Sequence, residues 1–323
     1  MKFRNDMMLL YIAMGDAYAA AVEYLKKNSQ ARERFYAEAM SFHRYLEHPT
    51  HGHPAGFYTD DAEMSVGCAS AISFVPLDQL NPDEFVFFWL REFVRGGNRK
   101  GYARGFQAFL EEIVADCHVP EDVIHRHVVT FLDRIRPDSR KNGACMRAVP
   151  LGVISDIQEA LRISTMQAAI THNTPEGLFS ARAVTAMAHF ALYQDEPLRN
   201  LPLYCKDNLP PEDERWFYVF DRLWPDGKAV RSYNNVSVAI ATTHAVCSHL
   251  KRFDSLRGIM MQIIQDGGDT DSVAAIAWGI ASCRMQDEVL PDFLEYALEG
   301  GSPKTGTIYL TDLGTQLMDT FSN

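Results

Sequence analysis

The sequence predicts an all-α protein, a compact single-domain bundle of many helices. Three observations carry that expectation. Apolar residues recur at three- and four-residue spacing along most of the chain, alternating strand-like runs are scarce, and two segments are apolar on nearly every face. Helices of the last kind belong at the centre of a bundle.

Taken in order, the first element is the apolar run Met7–Met14, whose pattern continues through Val22 and Tyr24. Lys2, Arg4 and the later Ala17-Tyr18-Ala19 loosely imitate a secretory signal, but the run is short and Asp6 and Asp16 bracket it, so a helix is expected. After a Pro/Gly-bearing connector, His48–Phe57, comes the first central helix, Asp60–Phe74. Helical spacing then marks Asp83–Arg95, Arg104–Ala115, Asp122–Ile135 and Pro175–Tyr193, with connectors at Gly96–Gly105 and Pro137–Gly143. A long polar connector is expected over Gln194–Trp216 and on to Pro225-Asp226-Gly227. Helices at Val236–Leu250 and Leu256–Ile264 precede the second central helix, Asp271–Ala281. No repeat or low-complexity tract interrupts residues 1–323, which read as one domain.

With 31 Lys and Arg against 42 Asp and Glu, the formal net charge is −11, a surface that repels nucleic-acid phosphate and anionic membranes. Neither is an expected partner. Six cysteines without CxxC pairs read as free, mostly buried thiols, and no stretch approaches the roughly 20 apolar residues of a membrane span. A cytoplasmic protein is expected. His48, His51 and His53 read as a polar loop rather than a zinc site, and His125, His127, His244 and His249 as core or surface residues.

The two central helices carry the chemistry at their starts: Thr59-Asp60-Asp61, and Gly267-Gly268-Asp269-Thr270-Asp271-Ser272. One reading is capping, with Asp60 and Glu63 as an Asp version of the capping box. The other is metal binding, because capping needs one carboxylate per helix and four desolvated carboxylates are costly without cations. Should the starts converge, those charges and the Thr59 and Ser272 hydroxyls suit two divalent ions that prefer oxygen, Mg²⁺ or Mn²⁺. The lack of Cys or His at either start speaks against zinc. Residues two apart on a helix diverge by about 200°, so Asp269 and Asp271 share a site only where the backbone is still turning, which Gly267-Gly268 permits.

An ordered set of six segments resembles the ADP-ribosylglycohydrolases, a family that includes the dinitrogenase reductase-activating glycohydrolases. GDAYAAAVEY, YTDDAEMS, GYARGF, NGACMRAVPLG, THNTPEG and GGDTDSVAAIA are similar to that family's motifs across nearly the whole chain. The resemblance implies an all-α fold with a dinuclear site of two Mg²⁺ or Mn²⁺ ions. Its metal ligands would be Thr59, Asp60 and Asp61 from one start, and Asp269, Asp271 and Ser272 from the other. It places Glu23 beside the scissile bond, and Gly101, Tyr102 and Gly105 at the border of the substrate cleft. Ser139, Asn142 and Gly143 would approach the diphosphate, and His172 would lie near the ADP-ribose. Departures are Ala19 and Ala21, where the family has Gly and Pro; Ala62, where Thr or Ser is common; and Ser272, which keeps the hydroxyl of the usual Thr. Arg140 and Lys141 precede Asn142 either as a phosphate clamp or as a solvated loop.

The activity implied is hydrolysis of the glycosidic bond joining ADP-ribose to a modified protein side chain or other acceptor, with Asp61 or Glu23 moving the proton. ADP-ribosylated protein would be the partner and ADP-ribose the product. A non-catalytic member that binds ADP-ribose or a partner, and a dinuclear hydrolase of another nucleotide or phosphate ester, are the alternatives.

Overall fold

In the computed structural model, which describes residues 1–25, 30–49, 52–117 and 125–322, helix starts follow local chemistry. Side chains of Asn81, Asp156, Thr174, Ser237 and Ser255 each accept a hydrogen bond from the first turn they precede. The helices are α1 (Met8–Ala19), α2 (Gln30–Ser41), α3 (Asp60–Phe74), α4 (Pro82–Arg95), α5 (Arg104–Ile113), α6 (His125–Arg134), α7 (Gly143–Met146) and α8 (Ile157–His172). They continue as α9 (Pro175–Tyr193), α10 (Leu201–Asn208), α11 (Tyr218–Asp221), α12 (Val238–Arg252), α13 (Leu256–Asp266), α14 (Thr270–Ala281), α15 (Phe293–Tyr296) and α16 (Thr307–Phe321). Among the described residues no strands pair into a sheet; the extended pairings are isolated bridges such as Val230 with Gly268. The fold is all-α, and no described helix is long and apolar enough to cross a membrane.

Some expected boundaries shift. The helix from Arg104 stops at Ile113, and the start expected at Asp122 lies outside the described residues. The expected connector Gln194–Trp216 instead holds α10 between two 3₁₀ turns, Leu198–Asn200 and Pro211–Trp216. Pro202 and Pro211 occupy first-turn positions, where a missing N–H costs nothing, so they start helices rather than break them. Helices α2, α8 and α16 lie where no element is expected.

At the centre, α1 and α14 pack antiparallel with almost every side chain buried. Their register is legible in contacts: Asn5 Nδ2 donates to Ser282 Oγ at 2.9 Å, Tyr11 meets Trp278, and Thr270 Oγ1 donates to the Ala19 carbonyl at 2.9 Å. Gly15 lets the two backbones touch, since a Cβ there would sit 2.7 Å from the Ala274 carbonyl oxygen. Helix α3 joins them by a different device. Asp16, in the last turn of α1 and fully buried, accepts hydrogen bonds from the Thr59 and Ala62 backbone N–H groups and the Thr59 hydroxyl, all at 2.9–3.0 Å. The start of α3 is therefore capped by a neighbouring helix, and neither Thr59 nor Asp269 caps its own.

Gly15→Ala tests the packing. Helix propensity favours Ala by about 1 kcal/mol, but the displaced partner is backbone and overpacking costs about 1–3 kcal/mol. A net loss of stability in urea melts is expected; a gain would refute the close approach.

Candidate active site

Because α14 starts beside the end of α1 and α3 starts against Asp16, the two acidic starts converge on one cleft of about 950 Å³. Glu23, Asp60, Asp61, Asp269, Asp271 and Ser272 line it, as do Gly101, Tyr102, Gly105, Ser139, Asn142, Gly143 and His172. Thr59 is buried just behind, its hydroxyl giving its proton to Asp16 Oδ1 at 2.9 Å and lying 3.3 Å from Asp61 Oδ2. The turn into α14 is made by Gly267 and Gly268 at φ +74° and +90°. A side chain at Gly268 would collide with Val230, whose carbonyl accepts from the Asp269 N–H at 2.9 Å.

Crowding of like charges sets the electrostatics. Burial raises Asp60 to about 8, aided by Asp16, and Glu23 to about 9, aided by Asp269 and Asp60. Asp61 is pushed well above the carboxylate range by burial and then by Asp60, and Asp271 likewise by burial and then by Glu23. Asp269 is raised by burial, against hydrogen bonds that include the amide of Asn142, 2.7 Å from its Oδ2, and the hydroxyl of Tyr24. Asp61 Oδ1 is buried without a hydrogen-bond partner among the described residues. Clustered carboxylates, an orphaned carboxylate oxygen and two hydroxyls with free lone pairs form an all-oxygen donor set that fits hard divalent cations.

His48 departs from expectation. It is buried rather than part of a solvated loop, with Nε2 3.2 Å from Glu23 Oε2, and ligand atoms of Glu23, His48 and Asp271 lie within 4.8 Å of one another. His51 lies outside the described residues, and His53 meets the Lys100 carbonyl at 2.9 Å. Asp16 lies in the last turn of α1. The Tyr102 hydroxyl turns away from the cleft to Glu63 Oε1 at 2.7 Å, within a buried group where Arg99 bridges Glu63 and Glu299. Glu63 thus plays no part in a capping box. Lys141 lines the cleft, whereas Arg140 pairs with Glu176 at 2.5 Å.

His172 is anchored from behind. Arg147, buried against Trp89, donates to Thr171 Oγ1 at 2.7 Å, and that hydroxyl lies 2.7 Å from His172 Nδ1. Burial, with Arg147 beside it, lowers the imidazole to about 3, so His172 is neutral.

The cleft also contains Arg134, Arg136, Arg231 and Phe109, which no motif marks, together with Arg104 and Phe106 of the GYARGF segment. Residues 7–319 match the family model described as ADP-ribosylglycohydrolase. The chain belongs to the ADP-ribosylglycohydrolase family. A solved structure titled "ADP-ribosylglycohydrolase-related protein complex" shares the fold, with a TM-score of 0.66 at 20% identity, covering 98% of this chain and 96% of that one. No curated protein matches it. Membership supports a glycosidic-bond hydrolase acting on ADP-ribose linkages.

Without cations, Asp16, Asp60 and Glu23 keep protons to about pH 6, 8 and 9 respectively, while an unfolded chain releases them near about pH 4. Over that interval the native state binds more protons than the unfolded one, so stability falls as pH rises. Chelated protein is expected to melt progressively lower from pH 5 to 9, with Mg²⁺ or Mn²⁺ restoring more at pH 9. A chelated melting temperature that climbs over this range would sink the assignment.

Proposed function

We propose that this ADP-ribosylglycohydrolase is a divalent-cation-dependent enzyme that releases ADP-ribose from a modified protein side chain by cleaving the glycosidic bond at the distal ribose. One observation carries the reading: a single cleft is lined both by the carboxylates and by Arg104, Arg134, Arg136, Lys141 and Arg231, with Phe106 and Phe109. Ribose hydroxyls, two phosphates and a flat base present chemistry complementary to these three groups.

Thr59, Asp60, Asp61, Asp269, Asp271 and Ser272 would hold two cations, Mg²⁺ or Mn²⁺. Bound there, they supply Lewis-acid polarisation and an anchor for vicinal hydroxyls. The orphaned Oδ1 supports Asp61 as a ligand, which would leave Glu23 to carry the proton. Glu23 Oε2 is oriented by His48 Nε2, and its carboxylate opposes positive charge developing on the ribose. His172 would meet a phosphate or ribose oxygen through Nε2. Asn142 steadies Asp269 through its amide.

Release of ADP-ribose from an ADP-ribosylated protein, with metal and with chelator, tests the proposal; binding without release would favour a non-catalytic member. Asp271→Ala is expected to abolish metal-dependent release while the chelated melting temperature holds or rises, because carboxylate repulsion is relieved. A pure capping role predicts the reverse, about 1 kcal/mol of lost stability with activity kept. Glu23→Gln is expected to lower kcat by about 10²–10⁴-fold with ADP-ribose affinity retained. An unchanged kcat removes Glu23 from the mechanism.

A further inference from the structure

Away from the cleft, Asp116, Cys117 and His127 bring a carboxylate, a thiol and an imidazole together between α5 and α6. Cys117 Sγ lies 3.4 Å from His127 Nε2, and Asp116 Oδ1 lies 3.4 Å from the same nitrogen. The third edge, Cys117 Sγ to Asp116 Oδ1, is 3.9 Å. Cys117 and His127 are buried while Asp116 faces solvent, its other oxygen receiving a hydrogen bond from Arg126 at 2.6 Å.

Two chemistries compete for such a trio. In a nucleophilic triad the thiol and the carboxylate engage opposite nitrogens of the imidazole, one to pass the proton and one to orient the ring. Here both converge on Nε2, which defeats the relay. Convergence of three ligand atoms on one point is what a metal ion requires. Zinc bonds of about 2.3 Å to sulfur and 2.0–2.2 Å to nitrogen or oxygen, at tetrahedral angles, give ligand–ligand edges of about 3.4–3.6 Å. Two of the three edges match, and the third closes with a rotation of the exposed Asp116.

We infer that Asp116, Cys117 and His127 form a zinc site separate from the acidic cleft, with its fourth position taken by solvent. Thiolate and imidazole select a borderline-soft ion over Mg²⁺ or Mn²⁺. Arg126 steers Asp116 from outside, as a hydrogen-bonded partner of a ligand does. The sequence hides the site because its ligands come from the turn that follows α5 and from the first turn of α6 rather than from a CxxC knuckle. Its effect is to clip α5, which carries Phe106 and Phe109, to α6, which carries Arg134, and so to brace the cationic and aromatic wall of the cleft.

Cobalt(II) used in place of zinc provides the test, because only a sulfur ligand yields an intense thiolate-to-cobalt charge-transfer band and the acidic centre is all oxygen. One equivalent of Co²⁺ per reduced chain is expected to raise this band, Zn²⁺ to abolish it, and Cys117→Ser and His127→Gln each to lose it. No band in the wild-type protein, or a band that survives Cys117→Ser, overturns the inference. Should either variant fail to fold, alkylation of Cys117 in the wild-type protein, mapped by mass spectrometry, decides. One equivalent of Zn²⁺ but not Mg²⁺ is expected to slow it by about tenfold or more; an unchanged rate refutes the site.

Discussion

A buried carboxylate with no cation in hydrogen-bond contact among the described residues organises this molecule. Asp16 sits fully enclosed in the last turn of α1, and taking such a charge out of water costs several kcal/mol. Two backbone N–H groups, one hydroxyl and the positive end of α3 offset that cost. The balance holds only if α3 begins where it does. The same helix fixes α14 through the Ala19 carbonyl, so one element positions both acidic starts.

What the sequence made legible follows from this arrangement. The Asp pairs stand out because carboxylates at the starts of apolar helices are conspicuous in composition alone, and their partners are close in the chain. His48 is not legible, since Pro49 and Gly52 beside it are also the residues of a solvated loop, and only tertiary folding brings its imidazole to Glu23. Most of the cationic wall is hidden for a similar reason: Arg134 and Arg231 come from remote segments, each with an ordinary surface charge pattern. Helix α8 packs against α9, α7 and α4, and its apolar residues alternate with Ser164, Gln167, Thr171 and His172, which are buried as well, so composition marks no clean apolar stripe.

Net charge and local field point in opposite directions. A chain at −11 is a poor general binder of phosphates, yet the cleft gathers six cationic side chains alongside a carboxylate cluster. Low-dielectric walls focus that local field while the acidic exterior disfavours nonspecific polyanions. On the proposed function, the overall charge filters competitors and the cleft does the recognising.

Helix α1 can also be viewed as a ruler. Its two anchoring points, the side chain of Asp16 and the carbonyl of Ala19, are three residues apart, a rise of about 4.5 Å on nearly the same face. That interval resembles the about 3.5–4 Å between ions in two-metal centres. The loops joining these helices tolerate added length, because each doubling of loop length costs only about 0.6 kcal/mol. A single residue inserted between Asp16 and Ala19 would instead rotate one anchor by about 100° relative to the other. Tolerance of insertions along this chain should then be lowest within one short interval of α1 that contributes no side chain to the cleft.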